Sequence, residues 1–470
     1  MATAAPNLSQ PEVSQAEIRQ RILGMVWPAT IENVLQMLVG IVATGMVGRI
    51  GAEAVAAVGL SSRLTQILWA IFSAIGTGAT VLIARSVGAN NPQAANRTAK
   101  QALALAVGLV LVLATAIWAN AENLLVLLFH PDPELLRSAH GFLQLAIWGA
   151  PFMAVMQVIG SILRGAGNTK TPMQVAFVVN VINVILNAVF IYGPFGLPAM
   201  GMIGAAWAML LSQFLGSILA LFAITRPLSV VSLSLRQGFR LDTSEMRRIL
   251  GIGVPAAFES LFWQGATIVM MGLIVSFGTA SLAAHQLGLN AESLSYMPSA
   301  GFGIAATAFV GQSLGARRKD LAVRYVKEIS KWGIILTILT GGALIILPTQ
   351  ILGLLSKDAE VIRLGAIYLR MMGLVQLPSL MSGVWNGALR GAGDTRAPMY
   401  IGGIGIWGIR LPLSFVFGKW MGMGVTGVWL AMTIDLVVRF LLSLIRYRAG
   451  RWQEIRLLDT SEAQPSEAVS

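Results

Sequence analysis

The 470-residue sequence contains no cysteine and only three histidines. The first absence excludes disulfide bonds, thiol catalysis and cysteine-based metal sites. His130, His140 and His285 are scattered and do not have the spacing of a metal-ligand motif. The sequence also lacks the GxxxxGK[ST] loop that binds nucleotide phosphates, which removes ATP as a direct energy source. We therefore predict a protein that is not an enzyme and that needs no nucleotide and no cofactor.

Charged residues are scarce as well. They make up 11% of the chain, against about 25% in an average soluble protein, whereas 56% of the residues are hydrophobic. About 20 apolar residues span a bilayer as a helix. Charge-poor segments of that length predict an all-α integral membrane protein with twelve transmembrane helices, near residues 22–48, 54–84, 98–118, 138–162, 172–192, 201–224, 249–277, 281–312, 330–349, 361–387, 397–418 and 424–446.

The twelve predicted helices fall into two copies of six. The segment Leu163–Met173 returns 226 residues later as Leu389–Met399, with eight of eleven positions identical. Earlier in each copy, Pro28-x-x-x-Glu32 returns as Pro255-x-x-x-Glu259. A fixed offset over most of the chain indicates a duplicated half, so we predict two repeated six-helix lobes.

The distribution of Lys and Arg predicts how these lobes are oriented. One set of loops and tails carries 24 basic residues and the opposite set six, which places both termini in the cytoplasm of the inner cell membrane. The predicted segments are an N-terminal tail (1–20), an N-lobe (21–225), a cytoplasmic linker (226–248), a C-lobe (249–447) and a polar tail (448–470). The net charge of +12 is explained by this asymmetry and by contact of the basic loops with anionic lipid headgroups. It therefore does not imply nucleic-acid binding.

Acidic side chains inside the membrane are the main candidates for a binding site, because a charge there usually faces an interior cavity. Glu32 and Gln36 lie one turn apart in helix 1, and Glu259 repeats the position of Glu32 in helix 7. In helix 8, Glu292 shares a predicted stripe with Ser295 and Tyr296. These glutamates have no obvious basic partners, so we expect them to bind a proton, Na⁺ or a cation. The alternative for Glu32 and Glu259 is contact with headgroup water near the cytoplasmic interface.

Helix 5 carries Asn180, Asn183 and Asn187 on one face. They are predicted either to line the cavity or to form hydrogen bonds between helices. The remaining deep charges are Arg410 in helix 11 and Asp435 in helix 12, which we predict to form a structural pair. Arg439 lies four residues after Asp435 and is an alternative partner along the same helix.

The chain resembles the multidrug and toxic compound extrusion (MATE) transporters over residues 20–448. The resemblance rests on Met46-Val-Gly-Arg-Ile-Gly51, on the doubled Leu-Arg-Gly-Ala-Gly-x-Thr motif, and on Ala283-Ala-His-Gln-Leu287 followed by Val310-Gly-Gln-Ser-Leu-Gly-Ala316. It implies two six-helix bundles around a central cavity, with export of small organic cations or drugs in exchange for Na⁺ or H⁺ by alternating access. We expect a monomer surrounded by membrane lipids.

Two positions depart from that family. Many bacterial members carry a helix 1 aspartate where this chain has Ala43, and well-studied members carry a helix 7 glutamate where it has Trp263. The alternative function is a flippase for lipid-linked saccharides, which belongs to the same broad superfamily. A flippase would have extra helices and a cationic cavity, whereas this chain has twelve predicted spans and several deep acids, so we predict a cation-coupled exporter.

Overall fold

The computed structural model describes residues 14–193, 198–225, 240–455 and 457. Twelve long helices run through these residues, and they carry the labels α1 to α12 below. Their bounds are Gln15–Gly48, Ala52–Gly88, Pro92–Ala119, Pro133–Gly165, Lys170–Tyr192, Gly201–Thr225, Thr243–Val275, Thr279–Gly315, Lys319–Ile346, Ala359–Ala392, Arg396–Trp420 and Gly424–Arg448. Short helices at Ala121–Phe129 and Pro348–Gly353 follow α3 and α9, and a 3₁₀ turn at Arg451–Glu454 follows α12.

The helices have the length and composition of membrane spans. Eleven of those in the described part of the chain are long and apolar enough to cross a bilayer. The twelfth helix, α8, has 37 residues, but its mean hydropathy is below that expected of a membrane span. The cause is that Asn290, Glu292 and Ser293 interrupt its apolar sequence. The prediction of an all-α membrane protein with twelve helices in two lobes is confirmed.

Several helices extend beyond the predicted spans. The α1 helix begins at Gln15, where Ser14 caps it by accepting a hydrogen bond from the backbone N–H of Glu17 at 3.2 Å. Residues 15–20 are therefore helical, and α1 continues into the predicted N-terminal tail. The start of α7 at Thr243 likewise makes the end of the predicted linker helical. The rest of that linker, residues 226–239, lies outside the described residues.

Asp242 caps α7 and ties its start to α3. Its carboxylate accepts backbone hydrogen bonds from Ser244 and Glu245 at 3.0 and 3.2 Å, and a side-chain bond from Arg97 Nε at 2.8 Å. The hydrogen bond from Arg97 is the main reason that the pKa of Asp242 lies below its usual value.

The helices α1 to α6 form one lobe and α7 to α12 the other, and the lobes meet through α1, α2, α7 and α8. Their contact is closest at the end of the bundle where α1 and α7 begin and where α2, α8 and α12 end, which we call the terminal face. A Cβ atom on Gly88 would collide with the backbone carbonyl of Gln312, and one on Gly315 with that of Arg85. These two contacts are equivalent under the repeat, so a pseudo-twofold axis passes between the ends of α2 and α8.

The first helix of each lobe packs into the core of the other lobe at the terminal face. Ile18 and Ile22 of α1 belong to a buried cluster formed mainly by α8, α9 and α10. Ile249 and Ile252 of α7 belong to a buried cluster formed by α2, α3, α4 and α6. The two lobes therefore exchange the starts of their first helices, and a proline, Pro28 or Pro255, follows each exchanged segment.

The opposite end of the lobe interface, which we call the distal face, is less closely packed than the terminal face. Between residues 33 and 46 of α1 no residue is buried, and the same holds between residues 256 and 265 of α7. Because α1 and α7 each contact helices of the opposite lobe, we infer from the exposure of these segments a cleft between the lobes. The cleft narrows toward the terminal face, where α1, α2, α7 and α8 close together.

Candidate functional site

Each lobe contains an arginine–glutamate pair built from the two repeated motifs. Arg164 Nη1 donates to Glu32 Oε1 at 3.0 Å. In the C-lobe, Arg390 Nη2 donates to both oxygens of Glu259, at 2.6 and 2.7 Å. The arginine of the Leu-Arg-Gly-Ala-Gly motif at the end of α4 or α10 thus neutralises the glutamate that follows the proline in α1 or α7.

The expectation that these acids lack basic partners is wrong for Glu32 and Glu259. The sequence motif contained the partners, but Arg164 lies 132 residues after Glu32 and Arg390 lies 131 residues after Glu259, so only the fold shows the pairing. An acid that is already paired with a guanidinium gains less from binding a second cation, because the two positive charges compete for it. The absence of basic partners was the reason to expect cation binding at Glu32 and Glu259. That reason no longer applies to these two residues.

Glu292 on α8 differs, because its partners are neutral. Tyr368 of α10 donates its hydroxyl to Glu292 Oε2 at 2.5 Å, and Gln376 Nε2 donates to Oε1 at 3.0 Å. Tyr368 and Gln376 are both buried, and within the described ranges no arginine or lysine forms a salt bridge with Glu292. Sequence reasoning missed both α10 residues, although they lie eight positions apart and so share one helix face.

This arrangement belongs to the C-lobe alone. At the repeat offset of 227, Glu292, Tyr368 and Gln376 correspond to Thr65, Gly141 and Gly149. The arginine–glutamate pairs occur in both lobes and fit a structural role, whereas the carboxyl group of Glu292 has no counterpart. A function that needs one titratable site therefore has one clear candidate.

The residues of the predicted polar stripe on α8 lie in two different environments, one buried inside the lobe and one exposed. Ser295 is buried and donates a hydrogen bond to Thr340 of α9 at 2.7 Å, so it fastens α8 inside the lobe. Tyr296 is 54% exposed and offers an aromatic ring one turn after Glu292. Gln36 on α1 is also exposed, in the distal half of the helix where the cleft lies. The expectation that Ser295 lines the site with Tyr296 is wrong, because α9 covers it.

The three asparagines of α5 differ in their hydrogen bonds. Asn183 Nδ2 donates to Ser212 of α6 at 3.0 Å, and Asn187 Nδ2 donates to Asn183 at 2.9 Å. The first bond joins α5 to α6 and matches the interhelical alternative for Asn183, whereas Asn187 bonds within α5 to its neighbour one turn earlier. Asn180 Nδ2 is buried without a hydrogen-bond partner, so Asn180 is the asparagine of this face with a donor left for a ligand or water.

The Arg410 and Asp435 side chains are in contact, and Arg439 joins them. Arg410 Nε donates to Asp435 Oδ2 at 2.8 Å, and Arg439 Nη2 donates to the same oxygen at 2.9 Å. Both alternatives from the sequence therefore occur together. Trp263 of α7 covers the cluster, with its ring 5.2 Å from the guanidinium carbon of Arg410 and 5.9 Å from that of Arg439. Where the resemblance places a glutamate, this chain has an aromatic ring over two cations.

The terminal face is closed by two equivalent hydrogen bonds between the lobes. Arg85 Nη2 of α2 donates to the carbonyl of Ala392 at 2.9 Å, and Gln312 Nε2 of α8 donates to the carbonyl of Gly165 at 2.9 Å. Ala392 and Gly165 end α10 and α4, where unpaired helix carbonyls are available. Sequence reasoning missed Arg85 and Gln312, although each is followed by a repeated tetrapeptide, Ser86-Val-Gly-Ala89 or Ser313-Leu-Gly-Ala316.

Twelve membrane helices in two repeated lobes, closed at one face and open to a cleft at the other, are the architecture of a membrane transporter. The MatE family matches residues 28–189 and 255–416, so the chain belongs to the MATE transporters, and the resemblance seen in the sequence is confirmed. Members of this family transport small molecules and are not enzymes.

Individual relatives cover nearly the whole chain. It is 31% identical over 449 residues to the "Probable multidrug resistance protein NorM" of Thermotoga maritima, covering 95% of this chain and 96% of that protein. It is 29% identical over 435 residues to the "Multidrug resistance protein MdtK" of Yersinia pestis, covering 91% and 94%. Among solved structures, "Crystal structure of MATE in complex with MaL6" matches with a TM-score of 0.87 at 20% identity, covering 93% and 98%.

Proposed function

We propose that the protein exports small organic cations, including drugs, in exchange for protons, by moving its cleft from one side of the membrane to the other. The observation that carries the proposal is Glu292. Of the four acids predicted in the membrane interior, it is the one whose carboxylate contacts neutral groups, while Glu32, Glu259 and Asp435 each contact arginine.

The neighbours of Glu292 favour a proton over Na⁺ as the coupling ion. Both carboxylate oxygens accept hydrogen bonds, one from a hydroxyl and one from an amide N–H. A sodium ion would need several oxygen ligands, whereas the two neighbours of Glu292 direct a hydroxyl proton and an amide N–H at its carboxylate. A proton needs only the carboxylate, and neutralising it releases a cation bound nearby.

An organic cation fits the same site because Glu292 supplies the charge and Tyr296 supplies an aromatic face. Cations are attracted to such a face within about 6 Å of the ring centre. Binding of the cargo and of the proton would then exclude each other at one carboxylate, which couples the two fluxes without nucleotide. The names of the relatives from Thermotoga maritima and Yersinia pestis, both called multidrug resistance proteins, agree with a drug-like cargo.

The orientation in the membrane follows from charge. The terminal face carries most of the loop arginines and lysines, so we place it, with both termini, in the cytoplasm. With this placement we assign the structure to an outward-facing state, from which cargo would leave and to which the coupling proton would bind. The protein acts as a monomer in the inner cell membrane, since one chain contains both lobes and the cleft.

The test is uptake of a fluorescent organic cation into inverted membrane vesicles that contain the unaltered protein. We expect an imposed pH gradient to drive uptake and a sodium gradient of the same size to have little effect. Sodium-driven uptake without a response to pH would refute proton coupling and leave the cation cargo standing. Absence of cation uptake under both gradients, with the protein present in the membrane, would refute the proposed function.

A further inference from the structure

The segment after α12 does not match the predicted polar tail. Trp452 is 1% exposed and belongs to the same buried cluster as α8, α9 and α10. Its ring stacks on Tyr447 at 5.3 Å, and Tyr447 stacks on Trp385 of α10 at 5.9 Å. This stack anchors the start of the tail in the C-lobe, on the terminal face.

The segment then crosses to the N-lobe. Arg85 Nη2, which already donates to Ala392, also donates to the carbonyl of Ile455 at 3.1 Å. Two residues later, the carbonyl of Leu457 accepts a hydrogen bond from Arg248 Nη2 at 2.5 Å. The Leu457 side chain packs against the cluster formed by α2, α3, α4, α6 and the start of α7. The aromatic stack therefore anchors the segment in the C-lobe, and the segment contacts the N-lobe through Arg85 and through the cluster against which Leu457 packs.

Two further features show that this path is built into the fold. Arg85 is 6% exposed and has no salt bridge to an acid among the residues that the structure describes, so carbonyl groups stabilise its buried charge. Gly393, which ends α10 with a φ of +94°, leaves room for Leu457, because a Cβ there would lie 2.6 Å from Leu457 Cδ1.

We propose that residues 449–455 and Leu457 form a strap that holds the terminal face closed and detaches each time that face opens. Opening separates Arg85 from the end of α10, and the strap cannot follow both lobes because its aromatic stack belongs to the C-lobe and its hydrogen bond from Arg85 to the N-lobe. The strap therefore favours the outward-open state and sets how often the protein turns inward. This inference rests on the alternating access proposed above.

The test uses the absence of native cysteine. A Ser313→Cys thiol reports opening of the terminal face, because Ser313 is 2% exposed at the end of α8. A Gln66→Cys thiol reports separation of the lobes at the distal face, because Gln66 is exposed on α2 and accepts a hydrogen bond from Gln264 of α7 at 3.4 Å. Each reporter is combined, in the full chain, with Trp452→Ala, with Leu457→Ser, or with the control Arg451→Ala at an exposed neighbour.

We expect Trp452→Ala and Leu457→Ser to raise maleimide labelling at position 313 about fivefold, which corresponds to about 1 kcal/mol of lost apolar contact. Labelling at position 66 should fall in the same variants, and Arg451→Ala should leave both rates unchanged. Unchanged labelling at 313, or a rise at 313 without a fall at 66, would overturn the strap. Leu457 lies outside every spanning helix, so its variant keeps the test valid if Trp452→Ala fails to fold. Cation uptake by the unaltered chain tests alternating access separately.

Discussion

At the scale of single residues, the fold distinguishes two glutamates that are paired with arginine from a third whose partners are neutral. Glu32 and Glu259 each neutralise an arginine at the end of another helix of the same lobe. Glu292 instead receives hydrogen bonds from Tyr368 and Gln376, so its charge can be removed by a proton without leaving an arginine unpaired. The chemistry of exchange is therefore expected at α8 and not at α1 or α7.

Replacing Glu292 with Gln keeps the side-chain size and removes the exchangeable proton. We expect proton-driven cation export to fall at least about tenfold, which corresponds to about 1.4 kcal/mol, and cargo binding to lose its dependence on pH. The measurements are vesicle uptake and cargo-induced fluorescence across neutral pH. Glu134→Gln, at an exposed acid at the start of α4, is the matched control and should export normally. Export at the wild-type rate by the Glu292 variant would refute the assignment of Glu292 as the coupling carboxylate.

The cluster of Arg410, Asp435 and Arg439 allows a stability prediction. Asp435 is fully buried and serves two guanidiniums, so Asp435→Asn leaves both without a counter-charge. We expect a loss of about 3–5 kcal/mol, seen as a lower thermal midpoint of the purified protein.

Adding Arg410→Gln to that variant should recover part of the loss, because it removes one of the two unpaired charges. A double variant less stable than Asp435→Asn alone would contradict the pairing, and so would equal midpoints for wild type and Asp435→Asn.

Part of this site could be predicted from the sequence. Rarity of charge identified Glu32, Glu259, Glu292, Arg410 and Asp435, because few other charged residues interrupt the apolar spans. The arginine partners of Glu32 and Glu259 could not be predicted from the sequence, because Arg164 and Arg390 lie just beyond the predicted helix ends and were expected in loops. Tyr368 and Gln376 share one face of α10, but a tyrosine and a glutamine in an apolar helix are too common to indicate a site by themselves.

At the scale of helices, closure of the terminal face depends on backbone approach. Gly88 and Gly315 let the ends of α2 and α8 pass each other so closely that a methyl group would meet a backbone carbonyl, which cannot rotate away. Hydrophobic periodicity predicts where such helices lie but not which glycine lies at a crossing, because both lobes contain many glycines.

We expect Gly88→Ala and Gly315→Ala to lower stability by similar amounts, about 1–3 kcal/mol each, because the two contacts are equivalent. Thermal unfolding in detergent measures this. Gly251→Ala is the control, since a Cβ there would have no neighbour within 4 Å and alanine favours a helix. If all three variants unfold at the wild-type temperature, the terminal face is not held at these crossings.

The helix ends were the least predictable elements. The spans were found from apolar runs, but α1 and α9 continue for one or more turns into sequence rich in charge. Those extensions are stable because the other helices of the terminal face cover one side of them, which a count of apolar residues does not detect.

At the scale of the whole molecule, the two lobes are not independent units. The starts of α1 and α7 are each buried in the opposite lobe. The duplication visible in the sequence predicted two lobes, but a repeat does not reveal whether each copy completes its own core or that of its partner.

A chain divided within residues 226–239 should test this exchange. We expect either half alone to accumulate poorly in the membrane, and the two halves expressed together to associate and retain some cation export. Co-purification through a tag on one half measures the association. Halves that accumulate normally by themselves, and do not associate, would show that the exchanged helix segments are dispensable.

The exchange of first helices also fixes the order of events while the protein is being made. The segment of α1 that contains Ile18 and Ile22 enters the membrane first, but α8, α9 and α10, which cover it, are translated some 250 to 370 residues later. During that interval the nascent chain holds an apolar surface that only lipid covers. Correct assembly is therefore a late event, and a ribosome that stops before α10 releases a product that lacks the contacts of its own first helix.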